Sequence, residues 1–264
     1  MSYYDKEAEI FDRWIKRSKD SNHGGREFFA PDGLCFRGQI NYSDAGYWYR
    51  GAGKEEQQWD NAQYKVMLIT KDINGSKPWD IREETGRTNH SGEDNVKITA
   101  RFYQNYMLWV YGILNTLKSG STPDFEEINT GEILYKFYDS VPLVRLNCKK
   151  QIGENTISNL TLNSYIETYK DLLLEQISLY DANIIICGGG SSSIKDFVCD
   201  NYLNGYERIN SWVYYSKESE KVVIDSYHPS YYGLSQYEIY RRMMEAFGEF
   251  MLKYPEFKTR QTSM

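Results

Sequence analysis

The sequence predicts an α/β protein: a three-layer α/β/α arrangement around a mostly parallel central sheet. Two observations carry this expectation. Short apolar strands alternate along the chain with amphipathic helices, the pattern that covers both faces of a parallel sheet. The strands also run out into polar tips, "TKDIN", "LNCKK", "CGGGSSS" and "SYHPS", which such a fold gathers at the carboxyl rim where ligands bind. At 264 residues, 41% hydrophobic and 26% charged, the chain can bury a sizeable core, and one large domain with decorations is the expected organisation.

Element by element, "YYDKEAEIFDRWIKRS" (3–18) places Ile10, Phe11, Trp14 and Ile15 on one helical face. From "SNHGG" to "EEQQWDN", Gly, Asp, Asn and aromatic residues follow one another without a period, which predicts turns and short strands. Residues 1–60 are therefore expected to form an N-terminal helix and an aromatic-rich extension. A buried strand follows at Val66–Ile69, then a long helix over "KITARFYQNYMLWVYGILNTLK", where Phe102, Tyr106, Trp109 and Ile113 recur at helical spacing. "VPLVRLNCKK" predicts a second strand, "LNSYIETYKDLLLEQISLYD" one helix, and "NIIICGGG" a third strand; "SSSIKDFVCDNYL" then opens a helix on serine. A hairpin turning at "KESEK" and a helix over "LSQYEIYRRMMEAFGEFMLKY" complete a main domain of residues 61–256, leaving 257–264 as a polar tail.

Composition narrows the function classes. Cys35, Cys148, Cys187 and Cys199 form no C-x-x-C pair, so reduced, buried thiols are expected rather than zinc or an iron-sulfur cluster, and no cofactor is implied. A net charge of -6 argues against wholesale coating of nucleic acid, although "RLNCKKQ" or "YRRMM" could supply a local basic strip or a solvated face. The longest apolar run, "ANIIIC", falls far short of the ~20 residues of a membrane span. The opening "MSYYDKEAEIF" has no apolar signal region, so the expected location is the cytoplasm.

The order of the polar tips resembles the uracil-DNA glycosylase superfamily. Its first strand ends in an acid-bearing loop, commonly G-Q-D-P-Y, an inner strand ends in Asn, and a late strand carries H-P-S; here stand "ITKDIN", "LVRLN" and "YHPSYY". "PWDIRE" resembles the Trp-Asp-hydrophobic-Arg of a bacterial branch that pairs a Lys with the acid. The likeness covers about residues 60 to 255, and Thr70, Lys71 and Ile73 depart from the Gly, Gln and Pro of the first motif. It implies a glycosylase-like fold, DNA as partner, and a deaminated or damaged base flipped into a pocket and cut from its sugar. Asn147 would then read the base edge, with Trp79 or Tyr103 as aromatic platform; His228 would hydrogen-bond the departing base, and Asp72 would stabilise the sugar cation and orient water. Lys71, Lys149, Lys150 and Ser230 would meet phosphate, and Tyr232, with Leu234 beside it, would fill the vacated stack.

Read without the resemblance, each of these residues has a plainer role. Asp72 can cap a turn, Asn147 a strand end, and His228 can be a buried histidine closing a turn. Ser191 and Ser192, after the glycines, either cap a helix or help cradle a phosphate. A serine-hydrolase set of Ser191, Asp225 and His228 lacks G-x-S-x-G. The alternative of a different class is a non-catalytic protein that keeps the fold and binds a free nucleobase, a nucleotide or single-stranded nucleic acid.

Overall fold

The apolar runs become neighbouring strands. The computed structural model describes residues 1–42, 48–75, 77–83, 100–153 and 157–259, with backbone only at 39–42, 48–50 and 74. The chain runs α1 (Tyr3–Asp20), β1 (Gly33–Leu34), β2 (Gly38–Tyr42), β3 (Trp48–Gly53), α2 (Glu55–Asn61), β4 (Val66–Asn74), α3 (Arg101–Ser119), α4 (Phe125–Ile128) and α5 (Gly131–Ser140). It continues β5 (Leu143–Gly153), α6 (Asn159–Thr168), α7 (Lys170–Tyr180), β6 (Ile184–Gly188), α8 (Ser193–Asn201), β7 (Glu207–Arg208), β8 (Val213–Ser216), β9 (Lys221–Ser226) and α9 (Gln236–Lys253). Seven strands form one mixed sheet in the order β1-β5-β4-β6-β9-β8-β7, while β2 and β3 pair separately. The inner four, β5, β4, β6 and β9, are parallel; β1, β8 and β7 add antiparallel edges.

Alternation along the strands divides the core in two. Val66, Leu68, Leu143, Ile186 and Ile224 face α3 and α9, whereas Met67, Ile69, Val144, Leu146, Ile185 and Val223 face α1, α7 and α8. Because both faces are covered, the central strands read as continuous apolar runs. Among the described residues no helix is long and apolar enough to cross a membrane. All four cysteines are free and buried.

Several expectations change. The N-terminal segment is built into the main body: Trp14 is fully buried and stacks on Tyr169 at 4.6 Å, and β1 pairs with β5. Gly33, at φ +141°, must be glycine there, since a Cβ would sit 1.7 Å from the Glu7 carboxylate. The single helix expected over 162–181 is two, broken at Tyr169, with no glycine or proline at the break. Phe257, placed by sequence in a polar tail, is buried against Phe250 and Tyr215, while residues 260–264 lie outside the described residues. The first residues of the helix expected from 97 lie outside them too, and α3 begins at Arg101.

Candidate active site at the carboxyl rim

Strand register assembles the site. Thr70, midway along β4, lies beside Asn147 of β5 and Gly188 at the end of β6, and Gly188 lies beside Ser226 at the end of β9; further along β4, Asp72 lies beside Lys149. The polar tips therefore share one rim. The chain leaves β4 for β5 on one side and later enters β6 on the other, so the β4/β6 boundary is the point where strand order reverses and a crevice opens. A cavity of about 410 Å³ is found there, lined by Lys71, Gly189 to Ser192, Ser211, Trp212, Asp225 to His228, and Tyr231.

His228 sits at the wall of this cavity with a defined tautomer. The backbone N–H of Ser230 donates to its Nδ1 at 3.2 Å, so in the neutral ring the proton rests on Nε2. Burial, with Lys71 and Arg145 adding positive potential, pushes its pKa down to about 4, so the ring is a neutral donor at physiological pH. The backbone around it is tightly packed. Gly189, at φ +87°, leaves no room for a side chain without pressing on His228, whose Cβ would be 3.2 Å from an added Cβ. From the other side α3 clamps the loop. Asn105, fully buried, donates to the Pro229 carbonyl at 2.6 Å; Arg101 donates to the carbonyls of Tyr231 and Leu234 at 2.9 and 2.6 Å.

Asn147 is oriented from two directions. Its backbone N–H donates to Asp32 at 2.7 Å, and the Thr70 hydroxyl donates to its Oδ1 at 2.6 Å. The second bond turns the amide so that Nδ2 is the end without a partner, buried and unpaired. Both Thr70 and Asn147 are fully buried, and neither lines the cavity. Asp72 is half-buried; burial raises its pKa above the ordinary carboxylate range, with Lys149 and Lys71 pulling it back. Such a carboxylate, neighbour to two cations, is suited to stabilising positive charge and accepting a proton from water.

Other expected site residues divide. Lys71 lines the cavity and makes no hydrogen bond or ion pair among the described residues. Lys149 folds back on the Gln151 carbonyl at 2.7 Å. Lys150 is corrected: it is fully buried, in an ion pair with Asp32 at 2.6 Å and against the Trp14 ring, so it meets no DNA phosphate. Trp79 packs against the cluster of Ala30, Ile73 and Ile81 instead of lining the cavity. Tyr103 accepts a bond from Arg145 at 3.3 Å and stacks edgewise on Phe102; it is Phe102 that faces His228, at 5.6 Å between ring centres. Ser192 does not cap α8. Its hydroxyl donates to Asp225 at 2.6 Å, and both Ser191 and Ser192 have positive φ, extending a left-handed run from Gly189. That bond turns Asp225 to Ser192, and the His228 Nδ1 already accepts from Ser230, so no hydrolase triad forms. Ser230 is half-buried and Leu234 packs against the core; Tyr232 is 75% exposed with the Arg101 guanidinium over its ring.

Sequence reasoning missed Phe102, Thr70, and the clamp of Arg101 and Asn105. The clamp residues stand four apart at the start of α3, and that spacing was the available signal. It also missed the aromatic wall, in which Tyr227 stacks on Tyr231 at 4.6 Å with Trp212 edge-on. Among the described residues no group of three or more His, Cys, Asp and Glu is placed to hold a metal ion. No protein-family model and no curated protein sequence matches the chain significantly.

Proposed function

We propose that the rim binds a nucleotide flipped out of DNA and hydrolyses its N-glycosidic bond, in the manner of the uracil-DNA glycosylase superfamily that the motifs resemble. The observation that carries this reading is the neutral His228, its Nε2–H held as a donor at the same rim as the free amide nitrogen of Asn147. Glycosidic cleavage sends the bonding electron pair onto the base and leaves positive charge on the sugar. A neutral imidazole that donates to the base oxygen gains strength as that charge grows, which is the differential interaction catalysis needs. The Asp72 carboxylate stabilises the sugar cation; water adds at the anomeric carbon and gives up its proton to that carboxylate.

The test is single-turnover incubation of the full chain with labelled oligonucleotides carrying uracil, hypoxanthine or xanthine, single- and double-stranded, followed by hot alkali. Strand breakage at one of these bases is the expected result. A folded preparation in excess that leaves no abasic site on any of them overturns the reading.

A second reading has its own observation. The cavity has aromatic walls in Trp212 and Tyr231, whereas Asn147 lies buried outside it, which suits a protein that holds a free base or nucleotide without chemistry. Duplex binding through phosphates weakens steeply with salt, and binding of a nucleobase does not, so the salt dependence of affinity separates the two.

A further inference from the structure

A second polar cluster lies behind Phe102, between α3, α5 and β5. Arg37 is 6% exposed; it donates to the carbonyls of Phe36 at 3.1 Å and Val141 at 3.3 Å, yet its Nε is buried with no partner among the described residues. Its guanidinium lies 4.7 Å from the centre of the Tyr138 ring. Tyr138 is 2% exposed and its hydroxyl is likewise unpaired. The Tyr103 ring is 5.8 Å from that of Tyr138, and its hydroxyl accepts from Arg145. Arg145 lies 4.3 Å over Phe102, and its Nε is a third buried donor without a partner. Among the described residues neither arginine forms an ion pair with a carboxylate.

Physical chemistry makes this an unfinished arrangement. Buried guanidinium groups are normally matched by an anion, because desolvated like charges repel and unpaired donors forfeit their hydration. Here Arg37 lies on the Tyr138 ring and Arg145 bonds the hydroxyl of Tyr103, whose ring meets that of Tyr138, so both positive charges share one locality, and each unpaired group in it can donate. A carboxylate would balance one charge. A tetrahedral dianion balances both and has oxygens for all the free donors, and guanidinium forks match its geometry.

We propose that Arg37, Arg145 and Tyr138 form a binding site for an oxyanion of the phosphate class, separated from His228 by the Phe102 ring. The source is either free inorganic phosphate or the phosphate of a nucleotide. The site stands on its own donors and needs no catalysis at the rim.

The experiment is isothermal titration of the full chain with inorganic phosphate, with acetate and chloride at equal ionic strength as controls, together with thermal unfolding in the same series. Phosphate is expected to bind saturably and raise the melting temperature beyond the controls. Arg145→Met is expected to weaken binding by about tenfold or more, as loss of a charged hydrogen bond does. Tyr138→Phe, which removes only an unpaired hydroxyl and preserves packing, keeps the fold and weakens binding by a smaller factor. Deoxyuridine monophosphate supplies the arm for source: tighter binding than phosphate assigns the anion to a nucleotide, and equal binding assigns it to free phosphate. No saturable response in the wild type overturns the site, as does a response unchanged in both variants.

Discussion

The two faces of β5 handle polar groups in opposite ways. Behind the strand, the Asp32 carboxylate accepts from Lys150 at 2.6 Å, from Gln176 at 3.1 Å and from the Asn147 backbone at 2.7 Å. Gln176 also donates to Glu7, Glu7 pairs with Arg82 at 2.8 Å, and Arg82 grips Asp80. Asp32 is paired with Lys150, and Glu7 and Asp80 share Arg82. At the rim, the Asn147 amide nitrogen and the Ser226 hydroxyl are buried without partners among the described residues, and Lys71 lines the cavity with no ion pair among them. Asn147 belongs to both regions, its backbone in the ion-paired network and its side chain at the rim. The two regions differ in what is left over: the ion-paired network pairs its charges and leaves an acceptor, Gln176 Oε1, without a partner among the described residues, whereas the rim leaves donors that a ligand's acceptors would meet.

The largest expected effect breaks the ion-paired network behind β5. Lys150→Met leaves Asp32 charged and buried, and is expected to destabilise the fold by about 3–5 kcal/mol in urea denaturation. Removing Asp32 as well, as Asp32→Asn with Lys150→Met, is expected to recover part of that loss; full additivity would mean the pair is not coupled. His228→Ala acts the other way round. It should lower base excision by about 10²–10³-fold, the usual effect of deleting one preorganised donor, with stability changed by about 1 kcal/mol or less. Equal damage to stability and excision would assign His228 to the scaffold.

Acid provides a third comparison. The His228 pKa is depressed to about 4 in the fold against 6.5 in an unfolded chain, so between these values the unfolded state binds the extra proton. Its contribution to stability is complete above about 6.5 and fades as pH falls toward about 4. Denaturation midpoints followed across that window should fall less steeply in His228→Gln. On the proposed reading Asp72, whose pKa burial raises, should set the acid limit of excision, shifted upward from that of an exposed carboxylate, and a pH profile of single-turnover excision checks it.

Smaller effects sharpen the boundary between the regions. Thr70→Val leaves the Asn147 Oδ1 without its donor and should cost about 1–3 kcal/mol, while Thr70→Ser keeps both stability and excision. Thermal melts of the two variants compare them. Tyr232→Ala, at the exposed tip of the His228 loop, should change stability by about 0.5 kcal/mol or less and register only in oligonucleotide affinity.

Much of this was legible in the sequence, for reasons that individual residues make clear. Apolar runs such as "NIIIC" need two covered faces, so the parallel core and the common rim of Asp72, Asn147 and His228 follow from pattern and order. The errors come from tertiary context. "CKK" looks like a basic cluster, but Lys150 is received by Asp32 and the Trp14 ring, while Lys149 folds back on the Gln151 carbonyl beside the Tyr165 ring. Alternation aligns Arg145 with Asn147, a signal present in "RLN" and passed over. The helix break at Tyr169 has no local punctuation, since the Trp14 ring stacked on it comes from a remote segment. Phe102 was one of several aromatics on a helical face until the loop clamped by Arg101 and Asn105 brought His228 to it.

The proposed chemistry depends on the rim holding His228 neutral, with its proton on Nε2. The chain has only three histidines, His23, His90 and His228, so nitrogen NMR of the imidazoles, assigned with His228→Gln, can follow each ring through a pH titration. His228 should keep an unprotonated Nδ1 and a protonated Nε2 from neutral pH down to about 4. A His228 that gains its second proton near 6.5, the value of a free imidazole, or that carries its proton on Nδ1, would contradict it.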